Sequence, residues 1–383
     1  MAKGMFTGNK GEWSEPYVVL RMLADGKLHQ ANEQMLPSPD NFVYILNIKR
    51  GDVSVTRSED GRVEFEFIDS QGQKHKLQTH SSNLAGQADK LFKAICAVAQ
   101  SKGSFAIPAC ENDLKFYGFS RLTNPAPKNL KVTKRDLLAK VKSPQTGVAE
   151  LGFSVKSELG APPTLLNASE PTNIVFRVKG LTKEQADEIN SITDGKKIML
   201  RCAKIKQLAT SISFEKYHSK VFAENLDVVD SALPEMVADL VKVHYFQQIL
   251  EPRSKAKGAQ RDADKLSKAV SILGTQKPYC SKSRTNYCEI KIKHFLRACA
   301  LGLMPSEVWN GIDDASGGYI VVLPDGRLIA FYVYNTNLFE KYLFESTIFE
   351  RGSTSKHKFM KLYPDTESND YFIKLNLQIR FNR

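Results

Sequence analysis

No part of the 383-residue chain holds about 18 apolar side chains in a row, so the sequence predicts no membrane-spanning helix. The segment MAKGMFTGNKGEWSE has none of the apolar core of a secretory signal, and the expectation is an intracellular, cytoplasmic protein. Cysteine is sparse. Cys96, Cys110, Cys202, Cys280, Cys288 and Cys299 form no C-x-x-C pair, which predicts free thiols and argues against a disulfide framework or a zinc knuckle. No G-x-x-x-x-G-K-[ST] occurs, so ATP-driven translocation has no support. Internal repeats and low-complexity tracts are also missing. Acidic residues are in deficit: 42 Asp and Glu face 54 Lys and Arg, a formal net charge of +12.

With 42% apolar and 25% charged residues the chain has ample material for a core, and its length predicts two or three structural units. The positive excess is not gathered in a tail, which points to a polyanion, nucleic acid above all, met by a folded surface. The segment 14–24 reads as a helix capped by Ser14 with Pro16 in its first turn. Residues 42–48, 53–57 and 63–69 alternate and are split by turn residues, as in an antiparallel meander. Helical spacing returns at 83–101, and Asn124-Pro-Ala-Pro-Lys128 marks a boundary. Strands are expected at 136–142, 151–157, 173–180 and 196–205, and helices at 182–190, 234–249 and 286–302. Residues 252–264 have little to bury and read as a flexible connection. A hairpin turning at Pro324-Asp325-Gly326 follows, and 372–381 reads as one alternating strand. The class is α+β, with a mixed sheet. Three segments emerge: 1–125 with the helix, meander and helical region, 126–250 as a central core, and 265–383 as a C-terminal α/β region.

The chemistry gathers at 136–156. Ser154 and Lys156 share one strand face, and Asp136 opens the preceding strand. An acid on one strand and a lysine on its neighbour can flank a scissile phosphate. The carboxylate holds Mg²⁺, which polarises the phosphoryl oxygen, and the lysine neutralises developing charge or orients the water. The second carboxylate such a site usually has is replaced by Ser154, and Glu12 and Glu15 in GEWSE are candidates to supply it. Acids at a helix N-terminus also suit its dipole with no catalytic role. His218-Ser-Lys220 with Asp227 is similar to the H-x-K…D of phospholipase-D-like nucleases, but the aspartate lies two residues too far along.

The segments NKGEWSEPYVVLRMLADGKL, GFSVKSELGAPPTLLNASEPTN, EIKIKHFLRACALGLMPSEVW, DASGGYIVVLPDGRL and YFIKLNLQIRF resemble, in chain order from residue 9 to residue 381, the HpaII family of type II restriction endonucleases. The resemblance implies a PD-(D/E)xK-type nuclease core with N-terminal and C-terminal DNA-binding elaborations. It also implies Mg²⁺-dependent hydrolysis of double-stranded DNA at a short palindromic site, CCGG or one like it, by an enzyme of a restriction-modification system. Ser154 and Lys156 fall on the family's F-S-(I/V)-K-S strand, Asp136 on the acid of the strand before it, and Glu12 and Glu15 on its G-E-W-S-E. Palindromic cutting suggests a homodimer. The metal ligands implied are Asp136, Glu15 and Glu12.

Base reading needs polar side chains on a rigid element. The last strand offers Lys374, Asn376, Gln378 and Arg380 on one face, a set that an ordinary strand with a wet outer face would also show. Ser353, Thr354, Ser355, Lys356, His357 and Lys358 form a donor cluster suited to phosphates. Asn167, Ser169, Thr172 and Asn173 follow the lysine strand and are expected near the cut site. Tyr332 and Tyr334 are expected to pack within the hairpin rather than stack on DNA. The competing expectation is a sequence-specific DNA-binding protein without catalysis, for which Ser154 in place of an acid is the supporting feature.

Overall fold

The structure, a computed structural model, describes residues 5–51, 53–99, 103–125, 133–144, 147–251 and 262–382. The strands in chain order are β1 (Lys27–Ala31), β2 (Pro37–Arg50), β3 (Val53–Arg57), β4 (Arg62–Ile68), β5 (Lys74–His80), β6 (Leu137–Ser143), β7 (Gly147–Ser157), β8 (Thr164–Leu166), β9 (Asn173–Lys179), β10 (Ser211–Tyr217), β11 (Gly318–Val322), β12 (Leu328–Tyr332), β13 (Thr347–Phe349), β14 (Leu362–Pro364), β15 (Tyr371–Asn376) and β16 (Ile379–Phe381). They fall into two compact units. The first combines Met1–Pro163, Ala300–Gly302 and Asp313–Phe339; the second combines Thr164–Cys299, Leu303–Ile312 and Glu340–Arg383. Both units draw on distant parts of the chain and so run across the sequence boundaries near 126, 250 and 265.

The first unit is built on a nine-stranded sheet of order β1-β12-β11-β7-β6-β2-β3-β4-β5. The expected meander β2-β3-β4 is present and antiparallel, and β5 extends it. The hairpin β11-β12 is antiparallel as well, and β11 runs parallel to β7. The long strand β2 pairs with β6 and β3 near its end and with β1 near its start. Helix α1 (Lys10–Asp25) buries nearly every residue from Trp13 to Leu23, because the sheet and helix α2 (Ser81–Ala97) enclose it. Its apolar side chains join Ile45, Ile48, Phe65, Leu137 and Phe153 in one core. Asn9, not Ser14, caps α1: its side chain accepts from the Glu12 amide while the Glu12 carboxylate accepts from the Asn9 amide. The helix therefore begins a turn earlier than the sequence suggests, and Pro16 lies inside it.

The second unit holds a four-stranded sheet, β10-β9-β15-β14, and a three-stranded one, β13-β16-β8. Two sequence expectations are corrected here. Residues Lys197–Leu208 form a helix, not a strand, because Arg201, Cys202 and Ile205 are buried at helical spacing. The closing segment is not one strand. β15 pairs with β9 and β14, the chain breaks at Leu377 and Gln378, and β16 pairs with β13 and β8. A segment passing between two sheets is enclosed on both sides, so its polar residues do not form the wet face the alternation predicts. The expected connection at 252–264 lies, apart from its last residues, outside the described residues, as do 126–128 of the boundary segment. No described helix is long and apolar enough to cross a membrane.

Candidate active site

Asp136 precedes β6, where its amide donates to the Phe153 carbonyl at 2.7 Å and sets it beside β7. The approach is fixed from the other side by Asp314, whose carboxylate accepts from the Thr133 hydroxyl and from the amides of Lys134 (2.7 Å) and Arg135 (3.1 Å). Gly152 allows this closeness: a Cβ there would stand 2.4 Å from the Asp314 carbonyl oxygen. The register Leu137–Phe153 then brings the Asp136 side chain onto the next two residues of β7. Its Oδ2 accepts from the Val155 amide at 2.6 Å and from the Ser154 hydroxyl at 3.2 Å.

Lys156 points along the same strand face, and its Nζ donates to Ser154 Oγ at 3.0 Å. The buried Ser154 hydroxyl thus links the lysine to the aspartate. Across the parallel pairing Ser154 sits opposite Tyr319, whose ring centroid lies 4.8 Å from Lys156 Nζ. The predicted trio Asp136, Ser154 and Lys156 is one hydrogen-bonded chain.

Glu15 joins it electrostatically. It is buried on α1, and its Oε2 accepts from Arg50 Nη2 at 2.9 Å and from the Asn124 amide at 3.1 Å. Burial raises its pKa to about 8, and the nearby Asp136 carboxylate pushes the same way while Arg50 opposes. Burial likewise raises Asp136 against the pull of Lys156, and lowers Lys156 against the pull of Asp136 and Glu15. Two acids and two bases therefore share the site, with Glu15 and Arg50 buried and Asp136 and Lys156 half-buried. Glu12 is half-buried one helical turn away and is committed to the capping box.

Sequence reasoning overlooked Arg50 and Tyr319. The signal for Arg50 was present: Ile48 and Arg50 share a face of β2, and Ile48 is a core residue. No comparable sign marks Tyr319, which reaches the site through strand pairing alone.

The residue types suit a divalent cation. Among the described residues the hydrogen bonds of Glu15 fall on Oε2 and those of Asp136 on Oδ2, so each carboxylate keeps a second oxygen for a ligand. Among those residues no three His, Cys, Asp or Glu side chains gather as a metal cluster. The protein thus offers two carboxylates, with phosphate and water left to complete the shell, as magnesium commonly requires.

The residues expected on DNA lie in the second unit, and the structure divides them. Asn167, Ser353, Ser355, Lys356 and Lys358 are exposed, and Thr354 is half-buried. Thr172, Asn173, Asn376 (2% exposed) and Gln378 (7% exposed) are buried. Asn376 Nδ2 donates to the Ser169 carbonyl, Thr172 Oγ1 and Asn173 Oδ1, and Asn173 Nδ2 donates to the His357 carbonyl at 2.9 Å. These residues fasten the 167–173 loop to the 353–358 loop. Gln378 Nε2 donates to Glu350, and Arg380 forms an ion pair with the same carboxylate at 2.7 Å. Lys374 is half-buried. As expected, Tyr332 packs in the hairpin, its hydroxyl donating to the Leu28 carbonyl at 2.9 Å; Tyr334 stacks on it but is 63% exposed. His218 lies beside Glu170 at 3.9 Å, and the six cysteines form no disulfide with one another.

A sequence model described as HpaII restriction endonuclease matches residues 9–381. The chain is 34% identical to the type II restriction enzyme HpaII of Haemophilus parainfluenzae over 387 residues, which covers 98% of this chain and 99% of that protein. No solved structure matches. The class is thereby defined: an α+β site-specific deoxyribonuclease of the type II restriction kind, with DNA as its substrate. Within that class the chain belongs to the HpaII restriction endonuclease family. A DNA-binding protein without catalysis is not favoured.

Proposed function

We propose that this enzyme cuts double-stranded DNA at a short palindromic site, CCGG or one like it, using Mg²⁺ held by Asp136 and Glu15, with Glu12 a neighbour rather than a ligand. The observation that carries the reading is the chain Lys156–Ser154–Asp136 beside the carboxylate of Glu15. A divalent ion bound by two carboxylates supplies charge against the phosphoryl oxygens and acidifies its water. Lys156, directed by Ser154, neutralises charge on the scissile phosphate or orients the attacking water. Ser154 does not replace the missing acid as a ligand. It holds the lysine in register with Asp136, while α1 brings in the second carboxylate. This is the PD-(D/E)xK arrangement with its second acid moved from strand to helix.

The exposed Asn167 and the 353–358 loop are placed on DNA, with Lys356 and Lys358 on phosphates. Arg380 remains the arginine suited to a guanine, whose O6 and N7 match its fork, once Glu350 releases it. Thr172, Asn173, Asn376 and Gln378 act by shaping these loops. A palindrome presents each contact twice, which a two-fold dimer answers. The test is digestion of plasmid DNA of known sequence with Mg²⁺ or EDTA, followed by sequencing of the fragment ends. Discrete cuts at one palindrome with Mg²⁺ alone are expected. Cutting that persists in EDTA, or a shifted but uncut substrate, would refute the mechanism.

A further inference from the structure

We propose that Arg50 is a positioning residue whose charge stands in for the divalent cation: it holds Glu15 near Asp136 in the metal-free enzyme and competes with the cation for Glu15. The inference rests on the assignment of Glu15 and Asp136 as the metal-binding pair.

Arg50 ends β2 with its side chain turned into the core, and the residue is 6% exposed. Its Nη2 donates to Glu15 Oε2 and to the Leu122 carbonyl, and its Nη1 to the Arg121 carbonyl at 3.2 Å. The guanidinium carbon lies 5.7 Å from the centroid of the Phe119 ring. Yet Nε has no hydrogen-bond partner among the described residues. A buried guanidinium with an unpaired donor is a poor source of stability, since desolvation offsets much of the attraction within a buried ion pair. What requires its charge is the pair of carboxylates, which repel one another when both are ionised unless cations stand beside them. Lys156 faces Asp136, and Arg50 faces Glu15. With Glu15 ionised and both cations in place the four groups balance, so a divalent ion entering alone meets two positive charges and a Glu15 carboxylate with one oxygen already held by Arg50. A DNA phosphate brings the negative charge that restores the balance. Arg50 therefore makes cation binding depend on DNA.

The experiment measures Ca²⁺ alone as the probe, by calorimetry and by thermal unfolding, on the full chain with and without a DNA duplex carrying the site. Wild-type protein is expected to bind Ca²⁺ weakly without DNA. Arg50→Gln and Arg50→Met are expected to bind it about tenfold more tightly without DNA and to lose most of the gain that DNA gives. Arg50→Lys, which keeps the charge, is expected to stay near wild type. Equal or weaker Ca²⁺ binding in both neutral variants overturns the proposal. Should they fail to fold, hydrogen exchange on the wild type decides: the Asn124 amide, which donates to the same Glu15 oxygen, must exchange faster when Ca²⁺ binds, and unchanged exchange overturns the proposal. Glu15→Gln and Asp136→Asn separate the two readings. If they leave Ca²⁺ binding intact, the carboxylate assignment itself fails; if they abolish it while the Arg50 variants do not tighten it, the Arg50 role alone fails.

Discussion

Lys156 has a short set of neighbours, and each constrains what its removal should do. Its ammonium is held by Ser154 and lies against Tyr319, away from the 353–358 loop in sequence and in the other structural unit. Lys156→Ala should therefore lower the single-turnover cleavage rate about 10²–10³-fold while leaving affinity for the cognate duplex in Ca²⁺ largely unchanged. Ser154→Ala should be milder, because the lysine stays but loses its tether. A variant ranking with Ser154→Ala the worse would place the chemistry on the hydroxyl. Glu15 gives a test in pH. Its carboxyl titrates near 4.5 when unfolded and near 8 in the metal-free fold. Between those values the folded protein holds a proton that the unfolded chain has released, so metal-free stability should fall as pH rises through this window. Urea titrations at several pH values should show that slope, and Glu15→Gln should flatten it; an unaltered slope would locate the titration elsewhere.

Among the elements, α1 shows how a local signal serves the site. The reciprocal hydrogen bonds of Asn9 and Glu12 start the helix, and Glu15 follows one turn later on the buried side. Asn9→Ala should cost about 1 kcal/mol in equilibrium unfolding, with a loss in cleavage no larger than that destabilisation explains. A large catalytic loss at unchanged stability would instead implicate Glu12 or its neighbours in the chemistry. The end of the chain teaches the opposite. Ile373, Leu375, Leu377, Ile379 and Phe381 do face the core, as alternation requires. The intervening Asn376 and Gln378 are nevertheless covered, by the 169–173 loop and by Glu350. Alternation records which side chains avoid water, but not whether a second sheet or loop covers the other face.

At the scale of the whole molecule, a net charge of +12 favours association with DNA, and the salt dependence of binding should follow the number of phosphates contacted. Lys358 is 69% exposed at its side chain and shares Glu170 with His218. Replacing Lys356 or Lys358 by alanine should weaken all duplexes alike and reduce the slope of log K against log salt by about one. Arg380→Ala should instead cost about 1–3 kcal/mol at one base pair. Fluorescence titrations with matched and single-mismatch duplexes over a range of salt would separate the two behaviours. If Arg380→Ala leaves discrimination intact, the base reader lies elsewhere, with exposed Asn167 the next residue to test. Sedimentation with a duplex carrying the palindrome should show two copies per DNA.

Much of the candidate site is legible in the sequence. The spacing of Asp136 from the S-x-K strand, the turn between them and the GEWSE helix are local features, and strand alternation alone aligns Ser154 with Lys156. The meander, the hairpin and the mixed α+β class follow from the same short-range periodicities. Tertiary structure decided what depends on partners distant in the chain. It set Glu15, not Glu12, beside Asp136, because burial of α1 under the sheet turns one acid inward and leaves the other to the cap. Through parallel pairing of β11 with β7 it brought Tyr319 to Lys156, and through the inward turn of β2 it brought Arg50 to Glu15. It also buried Asn376 and Gln378, since a strand's outer face is wet only when nothing from elsewhere in the chain packs on it. Periodicity is a property of neighbours in sequence. A charge balance among residues 15, 50, 136 and 156 is a property of neighbours in space.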